Sequence, residues 1–425
     1  MLKSKIAKIK RILKSHPRLY VLASKCYHYF RNRKNDTGVQ ISTQRGLSKD
    51  LTSIDSYQAL YQNQEDFSNE ITDIKTIAYH LPQFHTFPEN DEWWGKGFTE
   101  WTNTRKAKPL FNGHYQPREP HETIGYYDLS DIQALKKQAE LAKAHGIHGF
   151  CFYKYWFHGK ELMEKPMKIL LANPEVDIPF CFCWANETWS KRWDGLDHHI
   201  LIKQTYSKQD DINFIKNMAP FFRDRRYIRN NGKPMLLVYR IHNLPDIKAT
   251  TERWRTWCKE NDIGEIFIIS VMHGEVTQED IRSPEKFGVD AYVSFPPHNF
   301  DAPQIYSKDK DLKKTNIFDY QAGMENFEPE LGYKRYECAM LGWDNTPRRK
   351  DHAHMFVNYS TKAYYQWLRK NIEYTRKNFG ENERFIFINA WNEWAEGTYL
   401  EPDKKYGYAY LNTTSRALFN IPFEN

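Results

Sequence analysis

The stretch Phe385-Ile-Phe-Ile-Asn-Ala-Trp-Asn-Glu-Trp-Ala-Glu-Gly-Thr-Tyr-Leu-Glu-Pro-Asp403 decides how the rest of the chain is read. It opens as an apolar run, Phe385 to Ile388, with β-forming residues and a length that suits a buried strand. Within a few residues its character changes. Asn392, Glu393 and Glu396 follow, with Trp391 and Trp394 among them, and Gly397 breaks the pattern. A buried strand that ends in acids and indole rings reads as the rim of a pocket. On a helical turn, i,i+3 spacing sets the two Cβ atoms about 5–6 Å apart on one face. Two carboxyls so placed suit retaining glycoside chemistry, whose working groups lie about 5–5.5 Å apart. A solvated acidic turn would account for Glu-x-x-Glu alone, but such a turn has no use for two large apolar rings.

Upstream, the same rhythm repeats. Short apolar or β-forming runs occupy 74–79, 148–155, 178–184, 234–240, 265–271, 290–295 and 336–342, so that 385–391 is the eighth. Helical patterns lie between several of them, clearest over 130–145, where Gly146 supplies a C-terminal cap, and over 360–378. Eight strand–helix alternations without a Gly-x-Gly-x-x-Gly loop predict an α/β fold of the (β/α)8 TIM-type barrel kind rather than a doubly wound sheet.

A barrel gathers its functional residues at the C-terminal ends of its strands. Here the runs end in His80, Gln83 and His85, then Trp156 and His158, then Trp184, Asn186 and Glu187. Arg240, His273, His298 and Trp343-Asp344-Asn345 follow, before Asn392, Glu393, Trp394 and Glu396. The long insertion over 81–128 is expected to fold over the same face and to offer Trp94, Glu100 and Trp101 to a sugar.

The totals agree with carbohydrate handling. Aromatic residues make up 16% of the 425, including 13 Trp, while the mean hydropathy is −0.78, so the rings sit in a polar chain. Sugars present C–H faces to aromatics and hydroxyls to polar groups. The net charge of +7 is unevenly spread. Residues 1–35 hold 11 of the 61 Lys and Arg and no acid, and 61 less 11 leaves 50 basic against 54 acidic residues. The body is therefore not basic, which argues against a nucleic-acid partner. Leu2, Ile6, Ile9 and Leu13 repeat at helical spacing among lysines. Residues 1–35 are expected to form a basic amphipathic arm on an anionic membrane surface, or else a solvated helix or tail. Residues 36–70 read as a polar linker and 71–425 as the catalytic barrel. No run reaches the ~20 apolar residues of a membrane span. The six scattered cysteines read as buried thiols, pointing to a cytoplasmic protein, peripheral on the inner membrane face if the arm binds there.

The longer motifs resemble a known family. His80-Leu-Pro-Gln-Phe-His85, Trp94-Gly-Lys-Gly-Phe-Thr-Glu-Trp101, Gly113-His-Tyr-Gln-Pro117 and Gly146-Ile-His-Gly-Phe-Cys-Phe-Tyr153 are similar to the WbsX-like polysaccharide-biosynthesis proteins. So are Cys183-Trp-Ala-Asn-Glu187, Trp193-Asp-Gly195, Gly342-Trp-Asp-Asn345 and Asn392-Glu-Trp-Ala-Glu-Gly397. The resemblance implies a glycosyltransferase of surface-polysaccharide or O-antigen biosynthesis that acts on a glycan or lipid-linked oligosaccharide. That family is in turn similar to glycoside hydrolase family 99, the endo-α-mannosidases, which are metal-independent retaining enzymes on a (β/α)8 barrel. Through the Asn-Glu-Trp-x-Glu-Gly motif this second likeness implies Glu396 as general acid/base. Glu393 would assist the sugar's own 2-hydroxyl as internal nucleophile, with no cofactor and no metal. Tyr153 joins His80, His85, Trp94, Glu100, Trp101, Trp156, Trp184, Asn186, Glu187, Trp343, Asp344, Asn345, Asn392 and Trp394 as expected substrate-binding residues.

The residues alone leave alternatives. Glu187 and Glu393 could face each other across the barrel mouth as acid/base and nucleophile. The chain has no Gly-rich phosphate loop, and Asp309-Lys-Asp311 lies in a Lys-rich run, so the barrel suits cleavage as well as transfer. The hydrolytic alternative is an endo-acting retaining α-glycosidase. A glycan-binding barrel without catalysis is the reading from a different class. His80/His85, His198/His199 and His352/His354 form no recognisable metal-ligand set with acids.

Overall fold

The computed structural model describes residues 57–191, 196–307, 312–325 and 334–423. The expected arm over 1–35, the 193–195 motif and the 309–311 run lie outside them.

Eight parallel strands close into a barrel. They are β1 (Lys75–His80), β2 (Ile147–Phe157), β3 (Phe180–Trp184), β4 (Lys233–Val238), β5 (Phe267–Val271), β6 (Ala291–Val293), β7 (Arg335–Met340) and β8 (Phe385–Asn389). Each pairs with the next in parallel, and β8 pairs with β1, Phe387 lying opposite Ile77. Every run singled out in the sequence is one of these strands. Strands covered by helices outside and by packed side chains inside have no wet face, which is why they read as nearly continuous apolar runs.

Where faces can be told apart, period two decides them. Along β2, Tyr153 turns inward and stacks on Tyr79 of β1, whereas Trp156 turns out onto Phe214. Gly149 of β2 allows close approach of the neighbouring backbone, since a Cβ there would sit 2.3 Å from the Pro179 carbonyl oxygen.

Helices coat the outside. α1 (Pro88–Trp94) and α2 (Glu100–Lys106) belong to the insertion after β1. α3 (Ile132–Ala144) begins where the Asp131 carboxylate accepts from the Gln133 amide, and it buries Leu135, Ala139 and Ala142. α4 (Lys165–Ala172), α5 (Lys208–Phe222) and α6 (Ile247–Glu260) follow β2, β3 and β4. The four-residue α7 (Thr346–Arg349) follows β7. α8 (Thr361–Asn378), capped by Ser360, and α9 (Ala409–Leu418) complete the shell.

The expected linker is corrected over 57–70. Tyr57 and Gln58 pair with Tyr359 and Ser360, and Glu65 bonds Arg416 of α9. Phe67 is buried between His145 and Phe419. A polar composition hid these anchors because each is a single residue rather than a periodic stretch.

Candidate active site

Beyond β8 the chain must leave the sheet and still satisfy its backbone in a dry environment. Asn392 does much of this. Its side-chain oxygen accepts from the Leu81 amide at 2.7 Å and its nitrogen donates to the Leu81 carbonyl at 3.0 Å, tying the segment to the end of β1. Asn392–Glu393 then pairs antiparallel with Thr398–Tyr399, and Trp394–Glu396 forms a 3-10 turn between them. The expected helical turn is therefore a tighter one, which nearly eclipses i and i+3. Gly397 ends it at φ +65°, where a Cβ would lie 3.0 Å from the Asp344 backbone nitrogen.

The indoles brace this turn from below. Trp394 is fully buried, stacks on Tyr399 at 3.9 Å, and donates to the Glu401 carboxylate at 2.7 Å. Trp391 packs on Phe150. These rings form the floor under the acids rather than sugar-facing walls.

Glu393 and Glu396 line a cleft of about 380 Å³ at the C-terminal ends of the strands. Arg348 of α7 joins them. Its Nη1 donates to Glu396 at 2.6 Å, its Nη2 to Glu393 at 3.0 Å, and its Nε to Glu100 of α2 at 2.8 Å. Burial pushes the Glu393 carboxyl up to about 8, and the nearby Glu396 charge adds to it against the pull of Arg348. Burial raises Glu396 as well. Two like charges so close titrate as a pair.

Of the expected substrate-binding residues, Trp94, Tyr153, Glu187, Trp343 and Asn345 line this cleft. Glu187 follows β3, three strands round from β8, and forms an ion pair with Arg240. The others lie behind the walls. His80 points out to Gln138 of α3, His85 bonds the Pro82 carbonyl, and Trp101 donates to the Tyr127 carbonyl. Trp156 donates to Asp210 of α5, and Trp184 stacks on Phe214. Outward parity in β1, β2 and β3 explains His80, Trp156 and Trp184. Asn186 clamps the backbone of Arg240 from both sides at 2.8 Å. Asp344 accepts from His114 at 2.8 Å and Gln116 at 2.6 Å, and its amide donates to the Glu396 carbonyl at 2.7 Å. Glu100, Asn392 and Trp394 hold the acid-bearing turn as described.

A family model described as Glycosyltransferase WbsX matches residues 76–414. The chain belongs to the WbsX glycosyltransferase family. Membership makes it a chain of a carbohydrate-active enzyme family. The uncharacterized protein WxcX of Xanthomonas campestris pv. campestris is 42% identical over 351 residues, in strain B100 and in strain ATCC 33913 alike. That match covers 81% of this chain and 50% of the relative, so the chain spans about half the length of the curated relatives it matches. A solved glycoside hydrolase-like protein superposes with TM-score 0.51 at 15% identity, covering 84% of this chain and 97% of that one. The GH99 endo-alpha-mannosidase of Bacteroides thetaiotaomicron gives TM-score 0.49 at 15% identity, covering 83% and 98%. At such identity the likeness concerns the barrel fold.

Sequence reasoning about this WbsX-family chain missed Arg348, Arg349, Tyr155 and Tyr239, which also line the cleft. Tyr155 was within reach, because it shares the inward parity of Tyr153. Among the described residues no group of three or more His, Cys, Asp or Glu is placed to hold a metal ion.

Proposed function

We propose that this chain makes or breaks a glycosidic bond in surface-polysaccharide biosynthesis, with Glu393 and Glu396 as its working carboxyls. The observation that carries this is the pair itself: Glu393 buried and Glu396 partly exposed, both raised by loss of solvent and held by one arginine, at a cleft in the C-terminal mouth of a barrel. Two raised carboxyls this close share one proton that either can carry, and one acid with one base is what the chemistry requires.

Glu396 gives its proton to the glycosidic oxygen as the bond to C1 breaks. Glu393 takes the proton of the 2-hydroxyl while that oxygen closes on C1. The acceptor, water or a sugar hydroxyl, then opens the three-membered ring. It loses a proton to Glu396 as Glu393 returns one to O2, which leaves both groups as they began. Water as acceptor gives hydrolysis and a sugar hydroxyl gives transfer. The cleft continues past Glu187 and Arg240 to a polar hollow with Gln204 and Tyr206, which suits a glycan longer than one unit.

The test is incubation of the purified chain with the glycan of its producing strain, free and lipid-linked, with and without nucleotide sugars, and products read by mass spectrometry. A mass change is expected that is lost in Glu393→Gln and Glu396→Gln. Binding without turnover, equal in all three proteins, would leave only a glycan-binding barrel. The proposed membrane role of residues 1–35 has its own check: their deletion should release the protein from anionic liposomes, and salt-insensitive retention would remove the idea. No helix among the described residues is long and apolar enough to cross a membrane.

A further inference from the structure

Arg348 is placed unlike any other cation of the cleft. Three carboxyls converge on its one guanidinium, and they come from distant parts of the chain: Glu100 from the insertion after β1, Glu393 and Glu396 from the turn after β8. Arg348 is largely buried, with 11% of its side chain exposed, and Glu100 is fully buried. Glu100 Oε1 accepts from Arg348, while its Oε2 has no hydrogen-bond partner among the described residues. Glu100 therefore spends its one described side-chain hydrogen bond on anchoring the arginine. Nη1 and Nη2 of a planar guanidinium stand at fixed spacing, so the two acids they hold stand at fixed spacing too.

We propose that Arg348 is a positioning residue, anchored by Glu100, that fixes the separation of Glu393 and Glu396 and apportions one positive charge between them. This deepens the proposed function and rests on it. With three acids and one cation in a largely buried cluster, the fully ionised state carries an excess of two negative charges, and one proton halves that excess. Arg348 draws the proton off the pair, Glu100 pushes it back, and their balance leaves one acid and one base.

Other charges face the pair but do not titrate through the same range. The phenols of Tyr153, Tyr155 and Tyr239 are held well above their usual value, by burial first and by neighbouring carboxylates next. His273 is pushed down to about 3 and His298 to about 4, by burial first and then by neighbouring cations including Arg240. Arg240 is already paired with Glu187. Arg349 is the remaining described cation of the cleft lining. Behind the turn, Asp344 is paired with His114 and lies 3.9 Å from Arg118.

The full chain, with glutamate isotopically labelled at its side-chain carboxyl, tests this by NMR titration. The Glu393 and Glu396 signals are assigned by their loss in the two Gln variants. Glu100→Gln removes a negative charge and should lower the pair's midpoints by about one pH unit. Arg348→Gln removes the positive charge and should raise them by a similar amount. Arg348→Lys keeps a charge but cannot bridge three carboxyls, so it should raise them less and cut kcat about 10-fold or more with KM little changed. The lysine variant supplies the upward arm if the buried acids of Arg348→Gln prevent folding. A merely structural role predicts no opposed shifts, so midpoints that stay put or move the same way in both charge variants overturn the proposal. Turnover that survives in Glu393→Gln or Glu396→Gln overturns the functional assignment instead, and is read from a different assay.

Discussion

At the scale of single residues, Gly397 and Glu401 show how narrowly the acid-bearing turn is specified. Gly397→Ala would need a left-handed backbone and a Cβ 3.0 Å from Asp344, and chemical denaturation should show a loss of about 1–3 kcal/mol. Glu401 is buried beneath Trp394 and accepts from Gln138 at 2.7 Å, Tyr127 at 2.9 Å and Trp394 at 2.7 Å. Burial pushes it up to about 7, with its donors opposing. A folded-state value above the unfolded one means that the folded protein holds this proton more tightly. Its contribution to stability is thus present below about pH 4.5 and is lost as pH rises through about 7. Denaturation midpoints of the wild type should fall between about pH 5 and about pH 8, and less so in Glu401→Gln; equal slopes would remove Glu401 as the cause. The place of Glu393 and Glu396 on the cleft was legible in the sequence because they follow an apolar run that suits a buried strand. Arg348 was not. Thr346-Pro-Arg-Arg349 has the composition of a solvated basic loop, and nothing local reveals that three acids from elsewhere surround it.

At the scale of elements, the eight strands were legible because burial on both faces leaves a continuous apolar signature. The same burial erased the alternation that tells inside from outside. That is why Trp156 was expected at the sugar and Tyr155 was not. Trp156→Phe should lower stability by about 1 kcal/mol through the lost bond to Asp210 while leaving kcat near wild type. Tyr155→Ala, on the cleft wall, should cut kcat/KM about 10-fold or more. A steady-state comparison of the two variants on one glycan decides which face meets substrate. The turn after β8 shows a similar limit: i,i+3 spacing was readable, but the 3-10 geometry depends on Asn392 reaching Leu81 and on the Asp344 amide donating to the Glu396 carbonyl.

At the scale of the whole molecule, the segment 57–70 behaves as part of the barrel's wall. A chain beginning at residue 71 should lose the Phe67 contact and the Glu65–Arg416 pair, and should melt below one beginning at residue 57. Matching melting curves would restore the linker reading. A larger consequence follows from closure of β8 onto β1. The Asn392 side chain that secures the acids bonds a backbone 311 residues earlier in the chain. Most of the cleft lining, from Leu81 to Arg349, is encoded ahead of Phe385, whereas β8, the indole floor and the two acids come last. Until then the nascent sheet has two open edges, at β1 and β7, of the kind that recruit other strands. A product truncated upstream of residue 385 would therefore lack Glu393, Glu396 and the floor beneath them. Its fate would be decided by chaperones and proteases rather than by chemistry.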